Sequence, residues 1–406
     1  MNQYLDFYRQ NRAAIEAASH PWLNAQREAA AAAFERMGLP TRKDEQYLYT
    51  DVQAAFAPNY GIRIAPDATN RPLSDAFRGG ENTRGGFQSS IFNSQLLNDS
   101  LSALNLMLAT DLNVIRIPAG EHKEHPIRIS TIMRSAMPLM QNRRLVVIAE
   151  PGSFARILLN DKAADEQDFL ITQVTEVVVG DGATLEFYDT EQLHGRCRRF
   201  HQLYADVAQD AHFTHAAFTL TGGLIRNTTR VRLGGEGAQA DLLGCAVIDG
   251  NQHCDNNTLI EHAKPGGRST ELYKYVADGQ ATGAFAGRVL VQPGADRTDS
   301  RETSANLVCS TEARIYTQPM LEIYADDVKC SHGSTVGQLS DAALFYMRQR
   351  GINESDARLL LKQAFASDVI ACLPYEPLRT RLQLLVDQRF RGELNHCRTC
   401  NLCATN

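Results

Sequence analysis

A thiol and an imidazole stand two residues apart in Lys329-Cys330-Ser331-His332-Gly333, so in an extended strand both side chains leave the same face. Thiolate and neutral imidazole are both good ligands for iron or zinc, which makes Cys330 and His332 a candidate half-site for a thiophilic metal. Two donors do not complete a coordination sphere, and the competing reading is a buried cysteine packed as a small hydrophobe beside a hydrogen-bonded histidine. A second concentration of soft donors lies in His396-Cys397-Arg398-Thr399-Cys400-Asn401-Leu402-Cys403. The spacing of Cys397, Cys400 and Cys403 equals the first part of a bacterial ferredoxin run but lacks its fourth cysteine and its proline. These thiols are candidate metal or cluster ligands, weighed against a frayed tail that binds nothing specific. Cys245, His253, Cys254 and His262 form a looser set that matches no metal motif and reads better as core side chains at strand corners. His212-x-x-His215 and His122-x-x-His125 are weaker still.

Other chemistry is absent by pattern. The nearest approach to a phosphate loop, Gly266-Gly267-Arg268-Ser269-Thr270, lacks the lysine and the first glycine, and no H-E-x-x-H or G-x-S-x-G occurs. Gly235-Glu236-Gly237 lacks the third glycine of a dinucleotide fingerprint. The expectation is a protein without its own ATPase, hydrolase or hydride-transfer activity. Lys and Arg total 41 against 47 Asp and Glu, a net charge of -6, so no basic excess drives binding to nucleic acid. No apolar run approaches the roughly 20 residues of a membrane helix, and Met1 to Gln10 has no signal-peptide core, so a cytoplasmic protein without membrane association is expected. Nine cysteines, an odd number in a long chain, read as free thiols rather than a disulfide framework. Hydrophobic residues at 43% and charged residues at 22% exclude a mainly disordered chain.

The elements that must position these donors are legible as three textures. Helical patterns run from about Gln3 to Ser19 and from Pro21 to Met37, stopped by Gly38 and Pro40. The stretch from Tyr47 to about Ser102 has no assignable period, and a loop is expected around Gly79 to Gly86. From Arg143 short β-prone runs alternate with small turns centred on Gly152, Gly182, Asp210, Gly237, Gly267 and Gly294, in steps of 30, 28, 27, 30 and 27 residues. A period of that size marks a solenoid, whose coils cannot bury their own apolar faces and must stack. The alternative is an irregular all-β domain. Helical character returns after Gly337: Ser340 or Asp341 caps one helix and Asn353 a second, with Ala357, Leu360, Leu361, Ala364 and Phe365 on one face. A third spans Pro377 to Arg391. The expected division is 1–105 helical and mixed, 106–336 β-helix core, and 337–406 helical with the Cys-rich tail.

The run Pro319-Met320-Leu321-Glu322-Ile323-Tyr324-Ala325-Asp326-Asp327-Val328-Lys329-Cys330-Ser331-His332-Gly333-Ser334-Thr335-Val336-Gly337, followed by Leu344-Phe345-Tyr346-Met347-Arg348-Gln349-Arg350-Gly351, resembles the signature of the SufB/SufD family, on its SufD side. Further matches are Pro40-Thr41-Arg42-Lys43-Asp44-Glu45 with Tyr49-Thr50, His262 with Ser269, Tyr273-Lys274, Phe285-Ala286-Gly287-Arg288-Val289 and Asn306-Leu307, so the likeness spans most of the chain. The resemblance implies a mainly β fold: a right-handed parallel β-helix core flanked by N-terminal and C-terminal α-helical parts. It also implies a non-catalytic scaffold subunit in iron-sulfur cluster assembly, paired through the β-helix with the paralogue SufB and through C-terminal helices, roughly Ser340 to Leu373, with the ATPase SufC. His332 matches the family histidine at the SufB-facing end that helps hold a transient Fe-S cluster or its iron, and Cys330 matches the neighbouring cysteine. Nothing transfers to Cys397, Cys400 and Cys403, which depart from the family pattern.

The likeness leaves flavin binding open. An exposed edge strand at the end of a β-helix favours a homodimer of the isolated chain when SufB is absent. Two other classes compete. A β-helix carbohydrate-active enzyme would draw on carboxylates such as Asp241, Asp249 and Asp255. A pure interaction scaffold would use Cys330 and His332 only for packing.

Overall fold

The computed structural model describes residues 3–64 and 96–394. The loop expected near Gly79 to Gly86 and the Cys-rich tail, with Cys397, Cys400 and Cys403, lie outside the described residues. Sixteen strands follow one another from β2 (Asp111–Ile117) and β3 (Ile127–Met133) through β4 (Leu139–Ala149), β5 (Phe154–Ala163), β6 (Phe169–Val179), β7 (Thr184–Gln192), β8 (Cys197–Val207) and β9 (His212–Thr219). They continue as β10 (Leu224–Leu233), β11 (Gln239–Ile248), β12 (His253–His262), β13 (Arg268–Ala277), β14 (Thr282–Val291), β15 (Thr298–Val308), β16 (Arg314–Ile323) and β17 (Val328–Gly337). Even-numbered strands pair in one sheet, odd-numbered strands from β3 onward in the other, and the short β1 (Gly61–Ile62) joins the even sheet beside β4. Every pairing is parallel, so the chain alternates between two facing sheets in a parallel β-solenoid of about eight turns. From β2 onward paired strands are offset by between 26 residues, where Arg198 lies opposite Leu224, and 32, where Thr282 lies opposite Arg314.

The counted turns stack into a backbone ladder. Gly152, Gly182, Asp210 and Gly237 all have positive φ. Each donates its N–H to the next coil: Gly152 to Asp181 O (2.9 Å), Gly182 to Gln209 O (2.8 Å), Asp210 to Glu236 O (2.9 Å) and Gly237 to Pro265 O (3.1 Å). The next rung falls on Gly266, one residue before the centre read from sequence, and the last on Arg297 rather than Gly294. Inside, one half of the cross-section is apolar, with Leu145, Val177, Phe187, Leu203 and Phe213 among its members. The other half holds a buried charge network in which Arg199 bonds Asp161 (2.7 Å) and Asp189 (2.8 Å), and Asp189 bonds His201 (2.7 Å).

The flanking helices cover the outer faces. The first helical pattern is α1 (Gln3–Ala17), and the second splits into α2 (Pro21–Asn24) and α3 (Arg27–Met37). The restart turns Arg27 inward, where it donates to the carbonyls of Met107 (2.9 Å) and Ala109 (2.7 Å). It thereby satisfies acceptors that the end of α5 (Ser100–Leu108) leaves without intrahelical partners. With α4 (Val52–Phe56), these helices share a core with Met140, Leu170 and Phe200 on the even sheet. On the odd sheet α7 (Glu354–Ala371) and α8 (Glu376–Phe390) pack over Phe218, Leu243 and Val247, after α6 (Asp341–Gln349). Ser340 and Asn353 cap α6 and α7 as expected, but the buried face of α7 is Ala357, Ala366, Val369 and Ile370, and Leu360 is exposed. Two ion pairs set that rotation, Lys274 to Asp368 (2.5 Å) and Lys362 to Asp278 (2.8 Å).

Candidate functional site

β16 and β17 form the last coil of the solenoid, and each is paired on one side only among the described residues. An unpaired edge with exposed apolar side chains is a docking surface unless it is blunted. Here Tyr316, Ile323, Tyr324 and Val336 are exposed on or beside it, and Phe345 and Tyr346 follow on α6.

Cys330 and His332 sit on β17, two residues apart, and the register assigns both to the inner face. Cys330 pairs with Ser300 and His332 with Glu302, both of which are buried inside the solenoid. Cys330 is half-buried against the cluster of Val289, Val291 and Ala295, and burial pushes its thiol pKa up, opposed by a backbone hydrogen bond at Ser300. The His332 side chain is exposed and makes no hydrogen bond among the described residues. The two predicted donors therefore share one face of an open coil end, one resting on the core and one free to meet a ligand.

Two polar columns run inward from this pair. Ser300 and Ser269 share a hydrogen bond of 2.7 Å, and Ser269 Oγ lies 2.9 Å from His262 Nε2. Burial pushes His262 down to about 4, so the ring is neutral. Behind His332, Glu302 is followed by Glu271, whose Oε2 accepts a hydrogen bond from Thr258 (2.6 Å). Burial pushes the carboxyl of Glu271 above the usual carboxylate range, and burial together with the charge of Glu271 pushes that of Glu302 up as well. Sequence reasoning missed Glu271, Ser300 and Glu302 because a period of about 30 residues separates neighbours in each column. The in-register spacing from Ser269 to Ser300 to Cys330 was the available signal.

The other sequence candidates are dispersed. Cys245 faces the C-terminal helices, where burial pushes it up to about 12, whereas Cys254 points into the solenoid. His253 meets Thr50 on the outer face (3.0 Å), and His212 pairs with Asp241 (2.7 Å). No group of three or more His, Cys, Asp or Glu side chains is arranged to hold a metal ion among the described residues. Asp241, Asp249 and Asp255 do not line a common cleft: Asp249 pairs with Arg389 (2.8 Å), and Asp255 is held by Arg226 and Thr50 on the opposite sheet.

A parallel β-solenoid capped by helices on both outer faces, with a thiol and imidazole at its open end, defines a narrow class. Residues 131–365 match the family model described as SUF system FeS cluster assembly, SufBD core domain, and residues 1–80 match the SufBD protein N-terminal region. The chain belongs to the SufBD family of iron-sulfur cluster assembly proteins. It is 28% identical over 390 residues to the iron-sulfur cluster assembly protein SufD of Escherichia coli, across 88% of this chain and 90% of that protein. It is 31% identical over 303 residues to an iron-sulfur cluster assembly SufBD family protein of Synechocystis, across 72% of this chain and 66% of that relative. To SufD of Bacillus subtilis it is 23% identical over 292 residues, across 72% of this chain and 67% of that protein. Among the described residues no helix is long and apolar enough to cross a membrane.

Proposed function

We propose that this chain is the SufD-type scaffold of a Suf assembly complex, in which the last coil docks against a SufB-type paralogue and His332 helps hold the nascent cluster or its iron. The observation that carries the reading is an incomplete donor set at an unsealed edge: Cys330 and His332 share the inner face of the unpaired strand β17, rimmed by Tyr324 and Val336. A thiolate and an imidazole suit iron, and a facing chain would supply the remaining donors. The cluster is cargo, assembled between two chains and passed on.

The C-terminal helices suit the SufC-type ATPase. A surface groove of about 610 Å³ between α7 and α8 is lined by Ser367, Arg379, Gln383 and the exposed Leu384. This chain contributes a docking surface, and nucleotide chemistry belongs to the partner.

The test is His332→Ala and Cys330→Ser in the full chain co-purified with SufB-type and SufC-type partners. Since the His332 imidazole is exposed and makes no hydrogen bond among the described residues, its removal should change stability by less than about 0.5 kcal/mol and leave complex yield intact, while bound iron and sulfide fall. A destabilised complex that still carries full iron and sulfide per folded protein would reduce both residues to packing.

A further inference from the structure

The inner face of the odd sheet changes character over its last three coils. Leu242, Glu271, Glu302 and His332 occupy one register column, and Ala240, Ser269, Ser300 and Cys330 the next. Leu242 shows that an aliphatic side chain fills this position without difficulty, so the fold does not demand a carboxyl group at Glu302. Burying one without a partner costs free energy. Glu302 is fully buried, and neither of its oxygens has a hydrogen-bond partner.

The opposite sheet makes room for it. A Cβ placed on Gly287 of β14 would lie 1.9 Å from Glu302 Oε1, so the space a side chain would take there is given to the carboxyl group. The next coil outward carries His332 in register, and neighbouring parallel strands lie about 4.8 Å apart, within reach of a carboxyl-to-imidazole hydrogen bond after a side-chain rotation. Metal-bound histidines almost always donate their second nitrogen to a carboxylate or carbonyl, which fixes tautomer and ring orientation.

We propose that Glu302 is a positioning residue for His332, accepting a hydrogen bond from the imidazole nitrogen left free when the other nitrogen binds iron. The inference rests on His332 being an iron ligand. It does not depend on the charge of Glu302, because the carbonyl oxygen of a protonated carboxyl accepts an N–H as a carboxylate does. Glu271, one coil deeper and anchored by Thr258, backs the pair.

Glu302→Leu, Glu302→Gln, His332→Ala and the double variant Glu302→Leu/His332→Ala are compared in the full chain, co-purified with its SufB-type and SufC-type partners and titrated with Fe2+. Glu302→Leu should melt at the parental temperature or above, because an unpartnered buried carboxyl has been replaced by an apolar side chain, yet should weaken Fe2+ retention about 10- to 100-fold. Glu302→Gln keeps an oxygen acceptor and should recover most of that loss. In the His332→Ala background Glu302→Leu should have no further effect, since its influence passes through the imidazole. Parental Fe2+ retention in Glu302→Leu, an added loss in the double variant, or a Leu variant that fails to fold would each overturn the inference. If His332→Ala itself keeps its iron, the ligand assignment has failed. If His332→Ala loses iron while Glu302→Leu keeps it, only the role of Glu302 has failed.

Discussion

Three histidines show how a residue type that looks functional in sequence serves the interior. His215 lies between Phe187 and Phe213, stacked on the latter with centroids 6.4 Å apart, and neither nitrogen has a partner. Burial pushes it down to about 3, burial pushes His262 to about 4, and burial also lowers His201 despite Asp189. Because the folded values lie below the unfolded one, the unfolded chain binds more protons in acid. The stability these groups confer is complete above about pH 6.5 and is lost as pH falls toward the folded values. His215→Leu removes one such group. Relative to the parent, its stability should be about 2 kcal/mol more favourable at pH 5 than at pH 7.5. Urea midpoints at the two pH values measure this, and an unchanged difference would mean that His215 is protonated in the fold. Cys330 and His332 were legible as a pair through their two-residue spacing. Glu302 was not, because its relation to His332 exists only in the register of β15 with β17.

At the scale of elements, turn spacing carried the solenoid because each coil must return to the same corner, and a left-handed residue there is costly for anything but glycine. Asp210 and Arg297 occupy that slot with φ of 52° and 60°. Asp tolerates the conformation through its short polar side chain, whereas Arg297 has only an exposed ion pair with Glu236 to offset it. Arg297→Gly should therefore stabilise the chain by about 0.5 kcal/mol, after the extra chain entropy of glycine is subtracted. A lower denaturant midpoint in Arg297→Gly would show that the ion pair outweighs the strain. The helix α5 escaped sequence reading because it is buried on every side and so has no amphipathic period. Its cap, Asp99, which accepts from Ser102 N (2.7 Å), was the one local signal. In α7 the pattern marked Leu360, Leu361 and Phe365 as part of one apolar face, and Lys362 lies beside them in sequence. Its ion pair with Asp278 ties that side of the helix to the solenoid.

For the whole molecule the unsealed last coil is the organising feature. Exposed apolar groups beside an unpaired parallel edge favour pairing with another chain. Val336 is half-exposed at the end of β17, so Val336→Lys should abolish association with the proposed SufB-type partner, or self-association of the isolated chain, with little effect on melting temperature. Sedimentation across a range of concentrations checks this, and undiminished association would place the interface on another surface.

The repeat length, the cap residues of the C-terminal helices and the Cys330-His332 spacing are local properties. Side-chain alternation, turn conformation and capping act over a few residues, so the order of elements and the shared face of Cys330 and His332 could be read from the chain alone. Which coil is last, what stands behind Cys330 and His332 and which helix face is buried depend on contacts between residues about 30 or more positions apart. Stacking brings Glu302 beneath His332, and Lys274 with Asp368 sets the face of α7, because a parallel solenoid converts sequence period into spatial adjacency only once its register is formed.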